Sequence, residues 1–167
     1  ALAVASFAVL REPCERFISI YDHLVAHKAL DAKDFATRNA MAWATLLKNN
    51  ADERRQWLYA QQRAVPLHHR VPWQQTAYVG PHTATACLPT MHSDVQAIFD
   101  EHLPGCALPH IPEQNVASRH SALPSPQLCG LVRHIYPDDV RLWEERCSHV
   151  TNSTAVQQRA RARAAGA

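Results

Sequence analysis

An apolar run near the start of the chain leads directly into a helical pattern. Residues 3–10 are nearly all apolar and of strand length, which predicts a strand buried on both faces in a parallel sheet. Pro13 suits the first position of a helix, because its missing N–H needs no partner there. After Pro13, apolar residues recur at three- and four-residue spacing and form one stripe: Phe17, Ile20, Tyr21, Leu24 and Val25. The pattern predicts a strand followed at once by an amphipathic helix.

Helical patterns also fill the next part of the chain. Helix is favoured from Asp31 to about Arg63, with Trp43 and Leu47 as expected core residues. The pair Asn49-Asn50 is expected to divide this segment. Since no catalytic spacing occurs here, we expect helices that pack over the sheet or form a variable cap.

A second strand and its helix are predicted further along. Thr83 to Leu88 has the pattern of a short strand, and Ser93 is the expected N-cap of a helix over residues 94–103. Pro104-Gly105 is expected to stop that helix. The order of strands and helices favours an α/β fold with a parallel sheet.

Two further helices are predicted near the carboxyl end. Apolar residues recur at helical spacing over 126–136, and the pattern resumes over 138–147 after an interruption at a proline. Tyr136 and Trp143 are expected core aromatics, and Asp139 is expected to anchor its surroundings by local hydrogen bonds.

The junction of the first strand and helix indicates an anion site. A strand that feeds a helix N-terminus presents unpaired backbone N–H groups and the positive end of the helix dipole. Arg11 and Ser19 add side-chain donors, and hydrogen bonds to charged groups contribute roughly 1.5–3 kcal/mol each. We therefore expect a phosphate-bearing ligand here. The alternative is an ordinary helix with a solvated Arg16.

The run from Arg11 to Tyr21, Arg-Glu-Pro-x-x-Arg-x-x-Ser-x-Tyr, resembles the 3′-phosphate-binding motif of carbohydrate sulfotransferases. These enzymes use 3′-phosphoadenosine 5′-phosphosulfate (PAPS) and no metal. The resemblance implies that Arg11 and Ser19 hold the 3′-phosphate and that Arg16 supports the site from one turn along. It also implies a three-layer, parallel-sheet α/β fold of the P-loop NTPase type.

Other stretches resemble the same family in the same order. In residues 65–80, His69 and Gln75 look like a family element of His, Pro, Gln and an aromatic strand. Residues 108–119 resemble a loop from which a basic residue covers the cofactor, which implies that role for Arg119; an idle surface arginine is the alternative.

Near the end, Tyr136 to Trp143 resembles a terminal Tyr-x-x-Asp-x-x-Leu-aromatic signature of the family. Leu88-Pro89 departs from the pattern, because the family strand commonly ends there in an acidic residue. The resemblance extends over residues 7–147.

One part of the family pattern is missing from these 167 residues. The loop that holds the 5′-phosphosulfate, with its strand and helix, lies upstream of the Arg-Asp-Pro element in the family. We therefore expect residues 1–150 to be the carboxy-terminal part of a sulfotransferase domain, incomplete and inactive alone, and residues 151–167 to be a basic, frayed tail. The general base is unassigned; His23 and His69 are candidates, with solvated histidines as the alternative.

The implied reaction moves a sulfo group from PAPS to a hydroxyl of a carbohydrate acceptor. The alternative is a non-catalytic remnant that binds a nucleotide, a glycan or a protein. Family habit implies the Golgi lumen and a membrane anchor outside this chain, although bacterial members are cytoplasmic.

Charge and cysteine content limit the partners and cofactors. Lys and Arg number 17 against 15 Asp and Glu, and three of the arginines lie in the tail, which argues against a nucleic-acid partner. The five cysteines have no C-x-x-C spacing, which argues against zinc. A set of disulfides would leave one cysteine unpaired, and the redox compartment stays open on sequence alone.

Overall fold

The structure is a computed structural model that describes residues 6–26, 30, 38–50, 52, 74–108 and 123–150. In chain order the elements are β1 (Phe7–Leu10), α1 (Pro13–Ala26), α2 (Ala40–Asn49), a 3-10 helix (Gln75–Tyr78), β2 (Ala84–Cys87), a 3-10 turn (Leu88–Thr90), α3 (Met91–His102), α4 (Pro126–Ile135) and α5 (137–150). The chain divides into two compact units, each built from separate stretches of sequence. The first unit comprises residues 1–11, 78–110 and 141–167, and the second comprises residues 12–77 and 111–140.

The first unit contains a two-stranded parallel sheet. β1 pairs with β2 in parallel, with Phe7 opposite Ala84 and Leu10 opposite Cys87. A disulfide joins Cys87, at the end of β2, to Cys147 on α5. The buried core cluster of the first unit consists of Leu10, Cys87, Trp143, Cys147 and Val150. Both predicted strands are therefore confirmed within the described residues, and Trp143 is a core aromatic as expected.

The prediction that the first strand is buried on both faces is wrong for the part described. Phe7 is 46% exposed and Val9 is 40% exposed, whereas Leu10 is buried. Side chains two residues apart share one face of a strand, so Phe7 and Val9 lie on the same, uncovered face. Within the described residues β1 has one neighbouring strand, and an apolar sequence does not reveal which faces other elements cover.

The start of α3 also differs from the prediction. The helix begins at Met91 after an N-cap at Thr90, three residues before the position that an N-cap at Ser93 would give. Asp94 accounts for the difference, because its Oδ2 accepts hydrogen bonds from Thr90 Oγ1 at 2.8 Å and from the Cys87 N–H at 2.7 Å. The carboxylate thereby fixes the turn that precedes the helix. The helix ends at His102, as Pro104-Gly105 predicted, and Gly105 adopts a left-handed φ of 84°.

The second unit is a helical packing around aromatic side chains. α4 packs against both α1 and α2, and a disulfide joins Cys14 on α1 to Cys129 on α4. The predicted stripe of α1 is confirmed, since four of its members are buried and Val25 is partly buried. The large buried residues of this core include Phe17, Ile18, Tyr21, Leu24, Trp43, Leu47, Leu128, Val132, Ile135 and Tyr136.

The predicted end of a helix at Asn49-Asn50 is also confirmed, whereas residues 31–37 and 53–63 of the predicted helical segment lie outside the described residues. α2 ends at Asn49, and Asn50 is its extended C-cap. The break at Pro137 is likewise found, because residue 136 is non-helical between α4 and α5.

The described residues are mostly helical and contain one small parallel sheet. A two-stranded sheet is compatible with the three-layer sulfotransferase fold and with other α/β folds, so the fold class stays a prediction. The assignment of residues 1–150 to one domain also stays a prediction, and the tail over 151–167 lies outside the described residues. Among the helices described, none has the length and apolar character needed to cross a membrane.

Candidate functional site

The structure describes four of the six residues singled out from the sequence. Arg11 follows β1 in the first unit and is half-buried. Arg16, Ser19 and His23 lie on α1 in the second unit, and all three are half-buried. His69 and Arg119 lie outside the described residues, so the roles proposed for them stay predictions.

The N-terminus of α1 is capped by its own chain. The helix begins at Pro13, as predicted, which places Glu12 at the N-cap. The Glu15 N–H donates a hydrogen bond of 2.8 Å to Glu12 Oε2. An internal carboxylate therefore takes one of the N–H groups that the sequence led us to expect on an external anion. The N–H groups of the first turn are therefore not all open to a ligand, and the predicted anion site stays a prediction.

Ser19 lies at a different height on the same helix. At a rise of about 1.5 Å per residue, Ser19 is about 9 Å along α1 from Pro13. Pro13 has no N–H, and the N–H groups of Glu15 and Arg16 donate to Glu12 Oε2 and to the Glu12 carbonyl. The Ser19 hydroxyl lies about one turn further along the helix than these groups and would act as a side-chain donor.

The position of Glu12 raises its pKa. Burial disfavours the charged carboxylate and raises the pKa above its ordinary value of 4.5. The backbone N–H groups of Glu15 and Cys14 act in the opposite direction, as does the positive charge of Arg133, but burial is the larger effect. The folded chain therefore holds a proton on Glu12 more tightly than the unfolded chain does.

This shift predicts a pH-dependent contribution to stability. The contribution of Glu12 is fully present below its unfolded pKa, near 4.5, and is lost as the pH rises through the raised folded pKa. Glu12→Gln keeps an acceptor oxygen and removes the titration. The free energy of unfolding of this variant, relative to the wild type, is therefore expected to increase from about pH 4 towards neutral pH. Urea unfolding at a series of pH values measures the difference, with Glu145→Gln at an exposed position as the control. A difference that stays constant with pH would contradict the assignment.

Asp139 is the centre of a buried polar cluster in the second unit. Its side chain is 1% exposed and lies 3.4 Å from Arg16 Nη1, measured from Oδ2. The same oxygen accepts the Gln75 N–H at 2.9 Å, and Oδ1 accepts the Thr76 N–H at 3.0 Å. Asp139 is therefore an anchor, as predicted, but its partners are far away in sequence and not local.

This cluster also decides between the two interpretations of Arg16. The Arg16 side chain is 14% exposed and paired with a buried carboxylate, so the alternative of a solvated arginine is wrong. Its guanidinium faces the carboxylate of Asp139, which lies on α5. The role implied by the resemblance, support of a 3′-phosphate site, stays a prediction.

His23 lies in the last turn of α1. A helix C-terminus favours positive charge, because the backbone carbonyls there carry the negative end of the dipole. That position explains a histidine on structural grounds, and its role as a general base stays a prediction.

A second polar group lies in the first unit. Cys87, Asp94 and His149 place one potential ligand atom each within 4.8 Å of one another. The Cys87 sulfur is bonded to Cys147, and Asp94 Oδ2 accepts the two hydrogen bonds that shape the start of α3. These contacts account for the cluster without a metal ion, and the prediction that the protein uses no metal is left untested.

The geometry of the site thus rests on α1, its carboxylate cap and the Arg16–Asp139 pair. The sequence patterns single out Arg16 and Asp139 separately, but no sequence signal predicts their pairing across 123 residues. Comparison of the chain with family models, with curated proteins and with solved structures gives no match.

Proposed function

We propose that this chain supplies the 3′-phosphate side of a PAPS site in a sulfotransferase that acts on a carbohydrate hydroxyl. The observation that carries the proposal is the run Arg-Glu-Pro-x-x-Arg-x-x-Ser-x-Tyr over residues 11–21. Its setting supports the proposal, because the run begins where the parallel strand β1 ends and continues into α1. In this proposal Arg11 and Ser19 donate to the 3′-phosphate, and Arg16 and Arg119 support the cofactor.

The reaction requires little covalent chemistry from these residues. The acceptor oxygen forms a bond to sulfur while the bond from sulfur to the 5′-phosphate oxygen breaks, and the product is adenosine 3′,5′-bisphosphate. The hydroxyl proton passes to a general base, for which His23 and His69 are the proposed candidates. The part assigned to Arg11, Arg16 and Ser19 is to bind the donor and fix its orientation before transfer.

The disulfides support a luminal location for this proposal. Cys14–Cys129 and Cys87–Cys147 each lie within one compact unit, and they pair four of the five cysteines. Disulfides persist in oxidising compartments and are rare in the cytosol. This favours an oxidising compartment such as the Golgi lumen over the cytoplasmic alternative.

Arg11→Ala is the direct test of the proposal. Loss of a charge-assisted hydrogen bond of roughly 1.5–3 kcal/mol is expected to weaken adenosine 3′,5′-bisphosphate binding by about 10- to 150-fold. Binding of 5′-AMP, which lacks the 3′-phosphate, should change much less. Isothermal titration calorimetry with both nucleotides measures the two changes.

The matched control is Arg146→Ala, which removes an exposed arginine from the same unit. It should leave both affinities unchanged. If Arg11→Ala weakens both nucleotides equally, or if the wild type binds neither, the 3′-phosphate assignment is wrong.

An assay for the transfer of a labelled sulfo group from PAPS to a carbohydrate distinguishes an active sulfotransferase from a non-catalytic binding module. These 167 residues contain no family-type 5′-phosphosulfate loop, so we expect the chain to bind the bisphosphate without supporting transfer. Turnover by this chain alone would show that the missing loop is not required.

A further inference from the structure

Asp139 is a buried carboxylate whose two oxygens both have partners. Burial of an unpaired carboxylate is costly, so such groups are normally paired and hydrogen-bonded. Both oxygens of Asp139 have partners: Oδ2 contacts Arg16 Nη1 and the Gln75 N–H, and Oδ1 accepts the Thr76 N–H. One side chain on α5 thus joins α1 to the segment at residues 75–76.

Asp139 caps the 3-10 helix at residues 75–78 although it is distant from that helix in sequence. Gln75 is the first residue of the 3-10 helix Gln75–Tyr78, and the first N–H groups of a helix have no partner within it. Asp139 accepts hydrogen bonds from two of these N–H groups, those of Gln75 and Thr76, which are 64 and 63 residues away in sequence. The carboxylate therefore orders the start of this short helix and the Arg16 side chain together.

Stability alone does not call for an ion pair at this position. A buried pair of opposite charges is often replaced by apolar side chains of similar volume without loss of stability. What a carboxylate adds is direction, because a guanidinium that faces it is held in one orientation. Arg16 lies in the run that the proposed function assigns to the cofactor, so its orientation bears on binding.

We infer that Asp139 is a positioning residue: it holds the Arg16 guanidinium in the orientation that favours a 3′-phosphorylated nucleotide, and it ties that orientation to the helix start at Gln75. This inference rests on the proposed function. Asp139 does not touch the nucleotide in this arrangement; it acts through Arg16.

The test compares nucleotide selectivity in a double-mutant cycle. The variants are Asp139→Asn, which keeps the size and one acceptor oxygen, Arg16→Gln, and the double variant. The measured quantity is the ratio of the dissociation constants for 5′-AMP and adenosine 3′,5′-bisphosphate, obtained by calorimetry at one salt concentration. Asp139→Asn and Arg16→Gln are each expected to lower this ratio at least five-fold. The double variant should lower it no further than either single variant, because both remove the same oriented group.

Asp138→Asn is the matched control, because Asp138 is the exposed neighbour of Asp139. It should leave the ratio unchanged. The melting temperature of each variant shows whether a change in the ratio is accompanied by a loss of stability.

Each other outcome has a separate meaning. If Asp139→Asn melts at a lower temperature but keeps the wild-type ratio, Asp139 is only structural; the inference is overturned and the proposed function stands. If the wild type itself shows no preference for the bisphosphate, the proposed function fails and the inference fails with it. Should Asp139→Asn not fold, Arg16→Gln decides alone, and an unchanged ratio in that variant overturns the inference.

Discussion

Trp43→Ala is expected to lower the free energy of unfolding by about 3–5 kcal/mol. The Trp43 side chain is 0% exposed and belongs to the buried core of the second unit. Its ring stacks on Phe17 with the centroids 4.8 Å apart and lies 5.9 Å from the ring of Tyr21. Truncation to alanine removes both aromatic contacts and leaves a cavity between α1 and α2, which a close-packed core fills only in part.

Urea unfolding followed by circular dichroism measures this effect, and two variants of α2 calibrate it. Trp43→Phe keeps an aromatic ring against Phe17, so it should cost less than Trp43→Ala. Lys48→Ala changes an exposed residue on the same helix and should stay within about 0.5 kcal/mol of the wild type. A loss below about 1 kcal/mol for Trp43→Ala would contradict the packing of α2 against α1.

Removal of the Cys14–Cys129 disulfide, by serine at both positions, is expected to cost about 2–5 kcal/mol of stability. The two cysteines are 115 residues apart, so the cross-link closes a long loop in the unfolded chain. In the chain-entropy model a loop of about 100 residues corresponds to roughly 4.7 kcal/mol, which places this effect near the upper end of the range. The bond also fastens the first turn of α1, inside the Arg-Glu-Pro run, to α4.

Unfolding of the oxidised wild type and of the double-serine variant gives the size of the effect. Cys106→Ser is the matched control: all five cysteines lie in the described residues, and Cys106 is the exposed one outside both disulfides. It should leave stability unchanged. If a reducing agent lowers the stability of the wild type no more than that of the double-serine variant, the Cys14–Cys129 bond does not form in solution.

Local patterns predicted the helices well. The three- and four-residue spacing of α1 identified Phe17 and Tyr21 as core residues, and Trp43 and Leu47 followed from the same periodicity in α2. These predictions succeed because a helix packs one apolar face against its neighbours, and the spacing of apolar residues shows which face that is. Pro13 and Pro137 marked helix boundaries for an equally local reason, the missing N–H of proline.

Features that depend on distant partners were not predictable. The pairing of Cys14 with Cys129 is one of many that five cysteines allow, and nothing in their spacing selects it. The exposure of Phe7 and Val9 depends on which elements cover β1. The Glu12 cap was missed because glutamate is not among the preferred N-cap residues.

The candidate site was predictable only as a set of residue types. A motif names Arg11, Arg16 and Ser19, but it does not say that Asp139 holds the Arg16 side chain. That contact joins residues 123 positions apart, and only the folded chain brings them together. The motif therefore suggested a ligand, while the structure shows the carboxylate that the Arg16 guanidinium contacts.

The two disulfides are interleaved along the chain, because Cys87 lies between Cys14 and Cys129, and Cys147 lies beyond them. Under a mechanical load applied at its two ends, the oxidised polypeptide transmits tension across the Cys14–Cys129 bond, and the stretch between those residues stays slack even when unfolded. The contour length seen by an optical trap is then set by the residues outside 14–129, at about 3.3–3.6 Å each. Reduction of Cys14–Cys129 alone shifts the load to residues 14–87 and the Cys87–Cys147 bond, and reduction of both bonds adds the whole hidden length. Force extension therefore reports the redox state of the protein.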